Sequence, residues 1–147
     1  MRRGLARPLA LAVIRSGDRI LVFDVRDRVR GVLGYGPLGG TIEFGERGEA
    51  AIVREIREEI EAELVDVRYV ETLENIFEYL GRPGHELVRV YEGRLADEAL
   101  YERETIVARE ENGSRLRCVW KPIADFERGD PLYPDGLLEL LRRRAPR

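Results

Sequence analysis

The chain is 147 residues long, about one domain's worth of sequence and enough for one sizeable core. Apolar residues make up 44% and charged residues 36%, the latter well above the usual quarter. The 25 Lys+Arg and 28 Asp+Glu nearly cancel to a net charge of −3, which excludes a disordered polyelectrolyte and argues against nucleic acid held by overall charge.

Residues 8–15 (PLALAVIR) and 19–25 (RILVFDV) are short apolar runs separated by Ser16-Gly17-Asp18, the pattern of a β-hairpin. Residues 29–41 hold five glycines and a proline, which predicts a loop, with a short strand at 42–44. Residues 47–62 (RGEAAIVREIREEIEA) lack proline and are rich in Ala, Glu, Arg and Ile, which predicts a helix. Strand character follows at 64–79, 86–95 and 115–121, with turns at Arg82-Pro83-Gly84 and Glu111-Asn112-Gly113-Ser114. A last helix is expected from Asp135, as N-cap, to Arg144, burying Leu137, Leu138, Leu140 and Leu141. No repeat, low-complexity tract or linker interrupts the chain, so residues 1–147 are read as a single domain. The element order predicts an α/β fold with a mixed β-sheet between helices.

Cys118 and His85 are the only cysteine and histidine, which removes any intramolecular disulfide and any Cys-based zinc site. Any metal must then be held by oxygen, which means a hard cation such as Mg2+ or Mn2+. The apolar run Leu9 to Ile14 is too short to span a bilayer or form a signal-peptide core. A soluble cytoplasmic chain without a membrane partner is the expectation.

The segment with chemistry is Gly40 to Ala62. On a helical wheel Glu55, Glu58 and Glu59 share one arc of about 100°, beside an apolar stripe of Ile52, Val53, Ile56 and Ile60. Residues 43–63 hold eight Glu against Arg47, Arg54 and Arg57, a net −5. Like charges at this spacing weaken an isolated helix, and a divalent cation would relieve the repulsion. The bland alternative is a solvated face with Arg-Glu pairs such as Arg54 with Glu58.

What decides is the spacing: Gly40, five residues, Glu46, seven residues, then Arg54-Glu55-Ile56-Arg57-Glu58-Glu59. It resembles the Nudix hydrolase signature G-x5-E-x7-R-E-U-x-E-E-x-G-U, where U is apolar. The chain departs from it at Glu61, where the family usually has Gly, and carries the small Ala62 at the last apolar position. The resemblance implies an α/β/α sandwich and a hydrolase that cleaves a nucleoside diphosphate linked to another group. It implies Mg2+ or Mn2+ held by the Gly39 carbonyl, Glu55, Glu58 and Glu59, with Arg54 orienting the glutamates and Glu46 pairing nearby. The metal would neutralise the diphosphate and activate water, and Glu55 is the first candidate for the base. Glu102 and Glu104, in YERET, are downstream candidates for the same role.

Other signals are weaker. His85 reads as a turn or strand-end residue rather than a catalyst. Tyr35, Phe44, Phe77, Tyr79 and Tyr91 are candidate base-stacking aromatics, though most strand aromatics are core, as Trp120 is expected to be. Arg142, Arg143, Arg144 and Arg147 form a basic tail suited to a helix C-terminus. Leu132-Tyr133-Pro134 reads as the approach to the last helix. The expected partner is a small-molecule nucleotide, with ADP-ribose, nucleotide sugars, dinucleoside polyphosphates and (d)NTPs all open, and a homodimer is compatible with the sequence. The alternatives are a non-catalytic nucleotide sensor of the same fold, and an acidic helix used as a protein-binding face.

Overall fold

Strands β1 (Arg7–Ser16) and β2 (Arg19–Asp27) form the expected hairpin, turning at Gly17, whose φ of +61° suits glycine. Their shared ladder holds only two pairs, Arg15↔Ile20 and Ser16↔Arg19, and the strands then diverge like a fork. The computed structural model describes residues 4–144 other than Arg28 and Arg30, so Arg147 of the basic tail lies outside the described residues.

The fork divides the sheet into two halves. In one half β1 pairs in parallel with β6 (Arg82–Leu95), which pairs antiparallel with β5 (Leu64–Tyr79). In the other, β2 pairs with β8 (Arg115–Pro122), and β8 with β7 (Thr105–Arg109), both antiparallel. Two further strands, β3 (Gly31–Gly36) on β2 and β4 (Gly39–Thr41) on β1, complete an eight-stranded mixed sheet. These last two overturn the loop expected at 29–41. The glycines there allow close backbone approach: a Cβ on Gly34 would meet Pro131 and Tyr133 at 2.7–2.9 Å, and one on Gly39 would overlap the Ala10 carbonyl. No strand forms at 42–44; the chain turns instead, with the Glu46 N–H donating to the Glu43 carbonyl at 2.9 Å.

Alternation along the strands feeds two cores. Ala10, Ala12, Ile14 and Leu21 face helix α1 (Gly48–Ile60) and pack on its Ala51, Ile52, Ile56 and Ile60. Val13, Ile20, Val22, Val88 and Val90 face the other way, against α2 (Ile123–Glu127) and α3 (Leu137–Arg143). The sheet therefore lies between helices, an α/β/α sandwich. Trp120 is core, as expected: it stacks on Tyr101 with ring centroids 5.1 Å apart.

Several boundaries differ from the sequence expectation. The β5–β6 turn is Leu80-Gly81, both at positive φ (+53° and +78°), and Arg82-Pro83-Gly84 already belongs to β6. His85 is thus a strand residue opposite Ile76, and its Nε2 lies 2.8 Å from Glu74 Oε2. Strand β7 and helix α2, five residues each, are too short for a periodic signal. Helix α3 starts at Leu137 and is capped by Gly136 at φ +93°, not by Asp135. Residues 131–133 lie along β3 rather than merely approaching α3: Tyr35 N–H donates to Pro131 O (3.0 Å) and Tyr133 N–H to Tyr35 O (2.8 Å). The described tail arginines are paired, Arg142 with Glu127, Arg143 with Glu71 and Arg144 with Glu92.

Helix α1 ends where Glu61 enters the left-handed region (φ 53°, ψ 41°), its N–H donating to Arg57 O at 3.0 Å. This position normally favours glycine, because a Cβ there crowds the backbone. Glu61→Gly is therefore expected to raise stability by about 1 kcal/mol, a rise in the thermal or urea midpoint. An unchanged or lower midpoint would show that the cap is unstrained.

Candidate active site

The acidic arc of α1 forms one wall of a cleft of ≈ 450 Å3. Glu55, Glu58 and Glu59 lie on that wall, and Gly39, Gly40 and Thr41 of β4, with Arg7 of β1, lie across from them. The remaining side is the end of β7 and the turn after it, Arg109 to Asn112. Of the expected site residues, the fold thus gathers Gly39, Gly40, Glu55, Glu58 and Glu59. Glu102 and Glu104 do not line the cleft; Glu110 and Glu111 do. Glu102 ends a 3-10 turn and Glu104 precedes β7, so the strand carries the chain five residues further before acids reach the cleft. Sequence reasoning missed this pair, although Glu111 opens the turn it recognised at 111–114 and Glu110 immediately precedes it.

Arg54 organises the arc. Its Nε and Nη2 donate to Glu46 Oε2 and Oε1 at 2.8 and 2.9 Å, a bidentate pair. Nη2 also donates to the Thr41 carbonyl (3.1 Å), and Nη1 reaches Glu55 Oε1 (3.0 Å) and Glu58 Oε2 (3.3 Å). Glu46 in turn accepts the Glu43 N–H at 3.0 Å. The Arg54 hydrogen bond and the Glu43 amide hold the Glu46 carboxyl far below its ordinary value, at about 2.

The other carboxylates are pushed the opposite way. Glu55 is only 7% exposed, and burial raises its pKa, opposed by Arg54 and reinforced by Glu58 and Glu111. Glu59 rises to about 8, through burial first and then the Glu55 charge, with Glu110 and Glu58 adding and the Gly39 amide opposing. Burial, with the Glu59 and Asp24 charges, also lifts the Cys118 thiol to about 12, which leaves it an unreactive core residue.

These features fit an oxygen-ligated cation. Glu59 Oε1 is buried and has no hydrogen-bond partner, a costly state for an acceptor. The donors are all carboxylate and carbonyl oxygens, the set a hard divalent ion takes. Gly40 leaves the space that the Glu55 carboxyl fills. Among the described residues no three acidic, His or Cys side chains are placed to hold a metal ion without moving, and Arg54 holds Glu55 and Glu58.

Two consequences can be measured. A Cβ on Gly39 would overlap Ala10 backbone, so Gly39→Ala is expected to cost about 1–3 kcal/mol of stability. A Cβ on Gly40 would sit 2.5–2.6 Å from the Glu55 carboxylate oxygens, a movable side chain. Gly40→Ala is therefore expected to keep its melting temperature near that of the parent while displacing Glu55, with activity falling at least ~10-fold. The titrations give a second test. Glu59 binds its proton more tightly folded than unfolded, so its stabilisation is complete below the ordinary 4.5 and is lost as pH rises through about 8. Glu46 is the reverse: its contribution is present above 4.5 and lost as pH falls toward about 2. Denaturation of metal-free protein between about pH 5 and about pH 9 is expected to show a decline that Glu59→Gln removes.

The chain matches the family model described as NUDIX domain over residues 6–138. In solved structures, MutT NUDIX hydrolase from Burkholderia pseudomallei superposes with a TM-score of 0.67 at 24% identity, covering 92% of this chain and 96% of that one. The NUDIX domain of Shewanella oneidensis NrtR, complexed with ADP ribose, gives 0.65 at 19% identity over 95% and 88% of the two chains. Among curated relatives, NAD-capped RNA hydrolase NudC of Pseudomonas putida (strain W619) is 38% identical over 63 residues. That match spans 43% of this chain but only 22% of the relative's length. With the family model spanning nearly the whole chain and the acidic helix in place beside the cleft, the chain belongs to the NUDIX domain family.

Proposed function

We propose that the chain is a Nudix pyrophosphohydrolase that cleaves a phosphoanhydride bond in a nucleoside diphosphate linked to another group. The observation that carries this reading is the placement of Glu55, Glu58 and Glu59 together on one wall of a cleft closed by Gly39–Thr41. The bland face of a solvated helix does not bury Glu55 to 7% exposure or leave Glu59 Oε1 without a partner. Glu55, Glu58, Glu59 and the Gly39 carbonyl would hold Mg2+ or Mn2+. A divalent ion there supplies charge neutralisation of the phosphate oxygens and a more acidic bound water.

The protein's own residues do the rest. Arg54 fixes the Glu55 and Glu58 carboxylates through its ion pairs and so acts as a positioning residue. Glu55, with its pKa raised by burial, is the first candidate to accept the proton of the attacking water. Glu110 and Glu111 replace Glu102 and Glu104 as downstream candidates, because they reach the cleft. The substrate panel begins with ADP-ribose and NAD. The relatives are named for NAD-capped RNA, and a structural neighbour at TM-score 0.66 is named an ADP compounds hydrolase.

The test is turnover of that panel with Mg2+ or Mn2+, with EDTA as control, for Glu55→Gln, Glu58→Gln, Glu59→Gln and Glu61→Gln. The first three are expected to lose roughly 10²- to 10⁴-fold in rate while staying folded, and Glu61→Gln, off the arc, to lose little. If all four turn over like the parent, or if EDTA has no effect, the assignment fails. Metal-dependent nucleotide binding without turnover would instead identify a sensor.

A further inference from the structure

Five glutamates line the cleft, and two arginines lie among them: Arg7 and Arg109. Arg7 is engaged. Its Nη2 donates to Thr41 Oγ1 at 2.9 Å and its Nη1 lies 3.7 Å from Glu86. Arg109 is different. Although Glu110 and Glu111 follow it directly, its side chain makes no ion pair, hydrogen bond or ring contact among the described residues. It also stands directly opposite Arg115 in the β7–β8 ladder, and like charges in that position destabilise a hairpin. A cation that faces another cation, and makes no pair with the adjacent Glu110 and Glu111 among the described residues, is not there for the fold.

Its position says what it is for. Arg109 is the last residue of β7 and lines the cleft together with Arg7 of β1 and the α1 glutamates, and α1 packs on both β4 and β7. A free guanidinium is a planar fork of donors matched to phosphate oxygens. We propose that Arg109 is a substrate-binding residue that anchors a phosphate of the diphosphate at the β7 rim, so that the bond to be cleaved lies over the α1 acids. This rests on the hydrolase reading above and adds to it the group that the substrate's anion meets. Because the anchor is made equally with bound substrate and in the reaction, its loss falls on binding rather than on the rate of the bound complex.

The experiment uses the full chain with Arg109→Gln, Arg109→Lys and, as a cationic neighbour outside the cleft, Arg115→Gln. Calorimetry with Mg2+ present measures binding of inorganic pyrophosphate and ADP, and calorimetry of Mg2+ alone measures the acids. Arg109→Gln is expected to weaken pyrophosphate and ADP about 10- to 100-fold, the range for losing a charge-assisted contact. Arg109→Lys keeps part of the affinity, and Arg115→Gln stays within about twofold. With the substrate found in the panel, KM rises by a similar factor while kcat changes by less than about threefold. Pyrophosphate affinity unchanged in Arg109→Gln, in a parent that hydrolyses its substrate, overturns the anchor and leaves the hydrolase reading intact. Tighter Mg2+ with unchanged pyrophosphate likewise overturns it, by showing that Arg109 only tempers the glutamates. A parent that binds neither pyrophosphate nor ADP and turns over nothing overturns both.

Discussion

Arg54 ties together three pieces of chain that would otherwise repel or drift apart. One guanidinium reaches the turn before α1 through Glu46, the end of β4 through the Thr41 carbonyl, and the helix itself through Glu55 and Glu58. The acidic arc is tolerable in a folded protein because this half-buried cation sits at its edge. A lysine could not substitute, since one ammonium cannot offer two parallel bonds to Glu46 and still reach the helix carboxylates. The same tie sets the electrostatic contrast of the site. Glu46, bonded to Arg54 and the Glu43 amide, stays ionised down to about pH 2, whereas Glu59, which makes no bond to Arg54, holds a proton up to about 8.

The helix and its acids were legible in the sequence because both obey local rules. A 3.6-residue period and a fixed motif spacing are properties of one short segment, and α1 falls at Gly48–Ile60 within the expected 47–62. What escaped was decided by contacts between distant segments. The glycines of 31–41 look like a loop in isolation. In the fold they let β3 and β4 press against Tyr133 and the Ala10 carbonyl, neither of which the local sequence announces.

The same division holds within the site. Glu102 and Glu104 looked suitable by count along the chain, but a 3-10 turn and five residues of strand shift the phase, and Glu110 and Glu111 arrive instead. Position in space follows from elements too short to carry a periodic signal. The turn at Leu80-Gly81 was missed for a related reason: Pro83 is a strong local turn signal, yet the register with Glu78 places it inside β6.

The fork in the sheet gives the cleft a mechanical character. Its two rims belong to different halves: Gly39–Thr41 and Arg7 ride on the β1 half, and Arg109–Asn112 on the β2 half. The β1–β2 ladder joins those halves through two residue pairs beside the Gly17 turn. Helix α1 packs on strands of both, against β1, β4 and β5 on one side and β7 on the other. The protein is built like a pair of jaws with a short hinge and a wedge, where the wedge also carries the teeth. Ala51, Ile52 and Ile56 share one buried core with Ala10, Ala12 and Ile14 of β1 and with Ile106 and Ala108 of β7, so the side of the helix opposite its acids is the filling that spaces the two rims.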